Sequence, residues 1–434
     1  MALGGGTWTT QNKKLPGTYI NYVSAGIASQ ALSDRGIATV PVELDWGLDE
    51  VFQVTTEDMQ KNALQLFGYS YTDDRLKGLR DLFAGGTVRA YLYRLNAGGE
   101  KAVNDYAVAN YAGTRGNDIK IQITKDVDDP ESWNVSTYLG TNRVDVQNVK
   151  AAAELKPNDF VSFKTETMEL GAVAGVALSG GTNGTVDGEA HARYLSKMTS
   201  YGFNTMGAVV TDETTKKLYV AYQKRMRDEV GKKFQLVLYK SEADHFGVIS
   251  VYNKALDADC SEASMVYWVT GVECACAVNR SCEGQVYDGE FTPEIPDDGL
   301  EDLIDKGQLV LHRNDGSIEI LSDINTHVTF TEECNESFCD NQTVRVIDQL
   351  GNDDALLFNS RFRGKYPNDD AGRSSLRLAL VKIRQQLQDL RAIENFKDSD
   401  VTVEQGEGKK AIVVSDTITV VNTMSQLYMT TIVK

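Results

Sequence analysis

The residue types that usually carry catalysis are scarce in this chain and stand at unfavourable spacings. Its four histidines are His191, His245, His312 and His327. None of them has the H-x-x-x-H or H-E-x-x-H spacing that places two ring nitrogens on one metal ion. The G-x-S-x-G turn that exposes a serine nucleophile is absent as well. Asp244 beside His245 could form half of an acid–base pair, but no nucleophile accompanies them. We therefore expect no catalytic residue, no metal site and no cofactor.

The six cysteines offer thiols for a metal site or a disulfide. Cys274 and Cys276 are separated by one residue, and the other close pair by four, so neither pair has the C-x-x-C spacing of a zinc site. Cys274, Cys276 and Cys282 lie in or just after the apolar stretch 266–278, which predicts a buried helix. Free cysteines in such a helix behave as small hydrophobic residues, and we expect that structural role here.

A glycine-rich segment, residues 180–188 (GGTNGTVDG), has two interpretations. It resembles a loop that cradles a phosphate at a helix N-terminus, which would make the chain an α/β enzyme or a nucleotide-binding protein. However, it lacks the Gly-Lys-Ser/Thr of a P-loop. The favoured interpretation is a junction between domains in which Asp187 caps the following helix.

The net charge and the hydropathy of the chain argue against two kinds of partner, nucleic acids and membranes. The net charge is −18, from 62 acidic and 44 basic residues, and such a surface repels phosphate backbones. The longest apolar runs, such as residues 172–178, are far too short to span a membrane, and the N-terminus lacks the features of a signal peptide. We expect no direct binding to nucleic acid, no insertion into a membrane, and folding in the cytoplasm.

One long segment, residues 372–393, predicts an amphipathic helix with a basic stripe. Its apolar residues recur at three- and four-residue spacing, which gives a single apolar face. They are Leu376, Leu380, Ile383, Leu387 and Leu390. One stripe beside that face holds Arg373, Arg377, Arg384 and Arg391, which are spaced by four and seven residues. Lys382 is a fifth basic residue of the segment. The stripe is either a solvated helix face or a surface that docks on an acidic partner.

The order of the remaining elements predicts an α/β (α+β mixed) multidomain protein. Helices and strands alternate after residue 188, which indicates a mixed-sheet α/β body. Short alternating strands between two glycine-rich segments predict a small β-sandwich or barrel inserted into that body. In chain order we predict an N-terminal arm with its strand (1–23), the first part of the body (24–98), the inserted β domain (99–179), the α/β body (180–335) and a C-terminal α+β domain (336–434).

Both ends of the chain predict extended strands. The N-terminal candidate consists of Thr18, Tyr19, Ile20, Asn21, Tyr22 and Val23. The C-terminal candidate, within residues 425–434, contains Leu427, Tyr428, Met429, Thr430, Thr431, Ile432 and Val433. A strand at a chain end exposes an unpaired edge unless it joins another sheet. We therefore expect both ends to pair with neighbouring copies of the chain.

Segments spread over nearly the whole chain resemble contractile tail sheath proteins of bacteriophages and related tail-like particles, especially the PBSX-type prophage branch. No single segment is decisive, but their order and coverage are specific. They are residues 4–9 (GGGTWT), 16–21 (PGTYIN), 33–41 (SDRGIATVP), 111–119 (YAGTRGNDI), 180–184 (GGTNG), 323–331 (DINTHVTFT), 364–369 (GKYPND) and 427–430 (LYMT).

The resemblance implies a non-enzymatic sheath subunit. Such subunits stack as hexameric rings in a helix around an inner tube, donate terminal strands to their neighbours, and contract to drive the tube through the bacterial envelope. The expected partners are further copies of the chain, the tail tube protein, and the baseplate and tail terminator proteins at the ends. The C-terminal domain and its basic helix would face the tube. Assembly would take place in the cytoplasm of the bacterial host and yield a virion or a tail-like particle. A different tail component remains the structural alternative.

Overall fold

The computed structural model describes residues 32–433. The predicted N-terminal arm, with its strand at residues 18–23, lies outside the described residues. The chain divides into two compact units by its internal contacts. The larger unit holds residues 34–348 and the tail from residue 421, and the smaller unit holds residues 349–420 together with residues 32 and 33.

A seven-stranded sheet forms the centre of the larger unit, in the order β14-β13-β12-β11-β1-β3-β2. All neighbouring strands are parallel except β2, which pairs antiparallel with β3. The strands are β1 (Ile37–Val42), β2 (Phe52–Thr55), β3 (Arg89–Arg94), β11 (Thr205–Gly207), β12 (Gln235–Tyr239), β13 (Val248–Val251) and β14 (Gln308–Leu309). The helices of this unit are α1 (Thr56–Lys61), α2 (Ala63–Phe67), α3 (Lys77–Ala84), α4 (Gly188–Met198), α5 (Glu213–Arg225), α6 (Met265–Ala275) and α7 (Leu300–Asp305).

Both faces of this sheet are covered, as the apolar composition of its strands requires. Along β12, Val237 and Tyr239 belong to one hydrophobic cluster with α6, whereas Leu236 and Leu238 belong to another with α4 and α5. Successive side chains of a strand point to opposite faces, so the two clusters lie on opposite sides of the sheet. The sheet is therefore the middle layer of an α/β/α body.

Two glycines allow α3 and α6 to pack closely. A Cβ at Gly271 would lie 2.1 Å from the carbonyl oxygen of Leu82, and a Cβ at Gly85 would lie 2.6 Å from the amide nitrogen of Val272. Any larger residue at these positions would force the two backbones apart.

The segment between β3 and α4 folds as a β-sandwich. One sheet has four strands in the order β10-β6-β7-β8, and the other has three in the order β4-β5-β9. The strands are β4 (Lys101–Val103), β5 (Ala107–Ala112), β6 (Ile119–Lys125), β7 (Trp133–Leu139), β8 (Asn142–Val149), β9 (Val161–Phe163) and β10 (Val173–Ala177). Ile119, Ile121 and Ile123 alternate along β6 and are fully buried in the sandwich core. Trp46, from the loop after β1, is buried in the same core.

A hairpin follows the central sheet and connects to the last long helices. It consists of β15 (Leu311–Asn314) and β16 (Ser317–Ile320). Asp315 and Gly316 have φ angles of 42° and 88°, which is the left-handed conformation that a tight two-residue hairpin turn requires. The next helix, α8 (Asn341–Leu357), begins in the larger unit and ends in the smaller one.

The smaller unit is built on a long helix and two short strand pairs. After α8 come a π-helical turn (Phe358–Phe362) and α9 (Asp370–Asp389). Four short strands follow: β17 (Ile393–Glu394), β18 (Thr402–Gln405), β19 (Ile412–Ser415) and β20 (Thr419–Val420). β17 pairs with β20 and β18 with β19, both antiparallel. Among residues 32–433, no helix is both long and apolar enough to cross a membrane.

The predicted mixed α/β architecture is confirmed. The last two strands, β19 and β20, are separated by a break at residues 416–418. The break turns the Asp416 carboxylate towards Arg384, to which it is hydrogen-bonded at 2.7 Å. The domain boundaries at 23, 98, 179 and 335 remain predictions.

Candidate assembly surface

The basic helix predicted from the sequence is α9, and its apolar face is buried. The Asp369 side chain caps its N-terminus by accepting a hydrogen bond from the Gly372 amide at 2.7 Å. Four of the five predicted apolar residues lie in the core, and Leu390, which follows the last residue of the helix, is 44% exposed. The four buried ones are Leu376, Leu380, Ile383 and Leu387.

Arg384 does not lie on the surface stripe that the sequence predicted. Its side chain is 3% exposed and contacts two carboxylates, Asp354 at 2.5 Å and Asp416 at 2.5 Å. Burial disfavours the charged guanidinium, but these two carboxylates outweigh burial and raise the pKa of Arg384. A buried arginine is stable only with such partners. The prediction that the four arginines form one stripe beside the apolar face is therefore wrong for Arg384.

Arg377 and Arg373 are half-buried and hold the backbone of their own unit. The Arg377 guanidinium donates to the carbonyl of Val401 at 2.8 Å and also to the carbonyl of Asp398. The Arg373 guanidinium donates to the carbonyl of Asn368 at 3.1 Å. Both arginines thus tie α9 to the loops beside it.

Lys382 and Arg391 are the exposed members of the predicted basic set. Within residues 32–433, the side chains of these two residues form no hydrogen bond and no ion pair. Arg391 follows the helix in the left-handed conformation, with a φ angle of 62°. These two cations are free to meet a partner, and we call them the exposed basic pair.

The C-terminal tail is anchored at its base and free beyond it. The side chain of Gln342 bonds to the chain on both sides of residue 422: it donates to the carbonyl of Val421 at 3.0 Å and accepts from the amide of Thr423 at 3.0 Å. The Ser425 hydroxyl donates to Glu283 at 2.7 Å. Residues 426–433, which we call the free tail, form no strand pair within the described chain.

The free tail is strongly apolar for a fully exposed segment. Leu427, Tyr428, Met429, Ile432 and Val433 are 77–90% exposed. Such a cluster of large apolar side chains in water is unfavourable, and it marks a segment that another surface covers. The strand predicted at residues 425–434 has no partner strand among residues 32–433.

The β18–β19 hairpin is an exposed sheet in the smaller unit. It contains only these two strands within the described residues, so each strand has one edge without a neighbour. Val413 and Val414 point to opposite faces of the hairpin, and they are 53% and 41% exposed. An uncovered, β-branched hairpin of this kind can accept a further strand.

Amides of the glycine-rich segment at 180–188 donate to acceptors of the protein itself. The Gly181 amide donates to the side chain of Asn117 at 2.8 Å, and the Gly184 amide donates to the carbonyl of Asn96 at 2.9 Å. The Asp187 side chain accepts from the Ala190 amide at 2.9 Å, and so caps α4 as predicted. These amides bind the protein itself, which favours the junction over the phosphate cradle.

The Asp244–His245 pair serves a turn. The Asp244 carboxylate accepts from the amides of Val328 and Thr329 at 2.9 Å and 3.1 Å. Burial, together with the positive charges of nearby Lys224 and Arg227, lowers the pKa of His245 to about 3. Its ring is therefore neutral at physiological pH and unsuited to the acid half of an acid–base pair.

Sequence reasoning missed a buried ionic cluster in the larger unit. The Arg345 guanidinium contacts Glu273 and Asp323 at 2.5 Å each, and all three side chains are at most 1% exposed. Burial and the charge of Asp323 raise the pKa of Glu273 well above its ordinary value. Burial also disfavours the charged form of Asp323, but Arg345 outweighs burial and lowers its pKa to about 2. No sequence pattern could reveal this cluster, because its members are at least 22 residues apart.

The two carboxylates of this cluster, together with a nearby cysteine, form the one group of possible metal ligands found among residues 32–433. Glu273, Cys282 and Asp323 offer ligand atoms within 4.8 Å of one another. The Arg345 guanidinium already lies against both carboxylates and supplies the positive charge that a metal ion would bring. A second cation at this position would be repelled, so the cluster fits an ionic core and does not fit a metal.

Comparisons with known proteins point to the same family over most of the chain. Three family models match: the phage tail sheath protein beta-sandwich domain over residues 97–183, the phage tail sheath protein central domain over 184–326, and the phage tail sheath C-terminal domain over 333–434. The crystal structure of the sheath tail protein from Desulfitobacterium hafniense is 32% identical, with a TM-score of 0.81 over 95% of this chain and 99% of that one. The chain belongs to the phage tail sheath family.

Two further relatives extend this result for the sheath protein. The phage-like element PBSX protein XkdK of Bacillus subtilis is 29% identical over 98% of this chain and 99% of its own length. The helical sheath of the anti-feeding prophage, in its contracted state, shares the fold with a TM-score of 0.55, at 12% identity over 97% of this chain and 99% of that one. The fold is thus that of sheaths in contractile injection systems, and the predicted resemblance to the PBSX branch is confirmed.

Proposed function

We propose that this chain is the subunit of a contractile sheath. Its copies polymerise as stacked hexameric rings around an inner tail tube, and the rings contract to drive the tube through the bacterial envelope. The observation that carries this proposal is the free tail, an apolar segment of strand-forming composition that pairs with no strand in the part of the chain that the structure describes. Family membership supports the same conclusion.

The free tail serves as a strand donated to a neighbouring copy. Its sequence, QLYMTTIV, is rich in β-branched and aromatic residues. Strand addition supplies backbone hydrogen bonds and covers the apolar side chains at the same time. The contacts of Gln342 and Ser425 fix the point from which the tail leaves its own unit. The tail therefore works as a tether of defined origin.

The β18–β19 hairpin is the proposed acceptor of such strands. Its two open edges provide unpaired amides and carbonyls, and Val413 and Val414 provide apolar contacts on both faces. A sheet completed by strands from other copies links those copies through their backbones. Such a link survives when the bodies of the subunits rotate, because its hydrogen bonds do not depend on the contacts between the bodies.

The exposed basic pair is the proposed contact of α9 with the tail tube. Of the five basic residues first assigned to this contact, Lys382 and Arg391 have free side chains, whereas Arg373, Arg377 and Arg384 bind their own unit. The tube surface that meets Lys382 and Arg391 would be acidic. The baseplate and tail terminator proteins would close the two ends of the stack.

Contraction needs no nucleotide in this proposal. Free energy stored in the extended lattice at assembly would be released when the subunits change to a shorter and wider lattice. The donated strands would remain paired throughout, while side-chain contacts between the bodies break and re-form. Subunits would assemble in the cytoplasm of the bacterial host and leave it in a virion or a tail-like particle.

Two prolines in the free tail test strand donation. The variant Met429→Pro with Thr431→Pro removes two backbone donors, each worth about 1 kcal/mol in a formed strand pair. Because these residues are exposed in the single chain, its folding should be unchanged, and its circular dichroism and thermal unfolding should match the parent. We expect electron micrographs of the expressed variant to lack ordered sheaths.

The matched control is Met429→Ala with Thr431→Ala, which shortens the same side chains and keeps both amides. This variant should still form striated tubes with a wide lumen. Normal sheaths from the proline variant would show that the tail does not act through backbone pairing. Loss of sheaths in both variants would assign the effect to the side chains, which would also contradict backbone-based donation.

A further inference from the structure

Cys276 and Cys282 form a pair that the proposed function leaves unused. Neither is needed for strand donation or for contact with the tube. We propose that Cys276 and Cys282 are a reactive dithiol, which a small-molecule disulfide such as oxidised glutathione converts to an intramolecular disulfide. This inference does not depend on the proposed function.

The fold brings the two cysteines together around one carbonyl group. Cys276 directly follows α6, and its amide donates to the carbonyl of Val272 at 2.9 Å. The sulfur of Cys282 lies 3.9 Å from that same oxygen. Each thiol also shifts the pKa of the other. The five residues between them thus turn the chain back, so that the sulfur atoms are neighbours.

Buried charges hold both cysteines in place. The Arg35 side chain donates to the carbonyl of Cys276 at 2.6 Å. The Cys282 amide donates to Asp323 at 2.8 Å, and Arg345 fixes that carboxylate. These contacts come from distant parts of the sequence, so the pair is built into the fold and does not depend on the short connecting loop.

The surroundings assign different roles to the two thiols. Cys276 is partly exposed, and the hydrogen bond from the Cys282 thiol lowers its pKa to about 7. The charges of Arg345 and Arg35 act in the same direction, whereas burial and the charge of Asp323 oppose it. Cys282 is fully buried, and burial raises its pKa well above the ordinary value. Cys276 is therefore the thiolate that attacks first.

The charged and titratable groups around the pair come from four parts of the larger unit. They are Arg35 before β1, Glu273 in α6, Asp323 after β16, and Arg345 in α8. At neutral pH the two arginines are cationic and Asp323 is anionic. Burial raises the pKa of Glu273 well above its ordinary value, which favours its neutral form. The positive charges of Arg345 and Arg35 favour a thiolate on Cys276.

The disulfide forms through two successive thiol–disulfide exchanges. The Cys276 thiolate attacks one sulfur of oxidised glutathione, whose S–S bond breaks and releases one glutathione thiolate. Cys282 then passes its proton to water or to the released thiolate and attacks the Cys276 sulfur. The second glutathione leaves with the electron pair of the mixed disulfide. In total, two protein thiols are oxidised and one glutathione disulfide is reduced to two glutathiones.

Peptide mapping tests the pair directly in the full-length protein. The reduced protein is incubated with excess oxidised glutathione, the remaining thiols are alkylated, and the digest is analysed by mass spectrometry. We expect a cross-linked species that joins the peptides of Cys276 and Cys282. Neither Cys276→Ser nor Cys282→Ser can give this species, whereas the control Cys260→Ser should give it at the parental level. If the parental protein shows no such species, or shows glutathione retained on Cys276, the proposal is overturned.

The pH dependence of the reaction rate is a second readout. A purely structural role of the cysteine pair would not produce it. The thiolate fraction of Cys276 grows as the pH rises through about 7, so the rate should rise over the same range. Cys282→Ser replaces the thiol hydrogen bond that stabilises this thiolate, and the rise should move to a different pH in that variant. A parental rate that rises only near pH 9, where an ordinary thiol ionises, would refute a reactive Cys276.

Discussion

At the scale of single residues, the positions of the arginines determine what α9 can do. Arg384 and Lys382 are two residues apart, yet one is held between carboxylates and the other is exposed. The difference follows from helix geometry, because residues two apart point about 200° away from each other. Sequence spacing placed Arg384 on the basic stripe, whereas the structure buries its side chain. The ion pairs of Arg384 with Asp354 and Asp416 could not be predicted, because they join separate parts of the chain.

Removing Arg384 should therefore destabilise the smaller unit. Arg384→Ala leaves Asp354 and Asp416 facing each other without a cation, and breaking such a buried pair costs about 3 kcal/mol, since both carboxylates keep some solvent contact. We expect faster hydrogen exchange at the α9 amides and a lower midpoint of urea unfolding. Lys382→Ala is the control, and it should leave both measurements close to those of the parent. Equal stability of the two variants would mean that the ion pairs contribute nothing.

At the scale of elements, periodic patterns predicted well and pairings between distant segments did not. The four buried leucine and isoleucine positions of α9 and the turn at Asp315–Gly316 follow from local rules. The break between β19 and β20 does not, because it depends on where the Asp416 carboxylate finds Arg384. The contact of α3 with α6 does not follow from local rules either. It depends on two glycines whose role becomes visible only when both helices are in place.

A methyl group at Gly271 should weaken the contact between α3 and α6. Its Cβ would lie 2.1 Å from the Leu82 carbonyl oxygen, and relief of that overlap costs about 1–3 kcal/mol. Gly271→Ala should lower the thermal midpoint of the larger unit, as measured by calorimetry. Gly202→Ala adds the same methyl group in open space and should be neutral. If the two variants unfold alike, the helices can separate without cost.

At the scale of the whole molecule, the sheath protein combines stable units with open ends. The α/β/α body and the sandwich bury their apolar residues within the chain, whereas the free tail and the β18–β19 hairpin leave theirs in water. The net charge of −18 produces a general repulsion between copies of the chain. Association then depends on specific edges and on local charges that oppose the general repulsion.

The exposed basic pair is the local charge that should matter for the tube. Reversal of Lys382 and Arg391 to glutamate should weaken co-assembly with an acidic tube by roughly tenfold per subunit, as expected for two lost surface ion pairs of up to about 1 kcal/mol each. Folding should be unaffected, because both side chains are exposed and unpaired within the described residues. The measurement is co-sedimentation of the purified variant with tail tubes at increasing salt, where the parental binding should weaken and approach that of the variant.

A second double charge reversal distinguishes the loss of this contact from the general effect of the changed net charge. Lys120→Glu with Lys156→Glu alters the charge equally, but on exposed residues of the β-sandwich. If both double variants lose tube binding alike, the effect comes from overall repulsion and α9 does not face the tube. If only Lys382→Glu with Arg391→Glu loses it, the contact lies beside α9, and a net-acidic subunit binds its tube through two cations that its own carboxylates leave free.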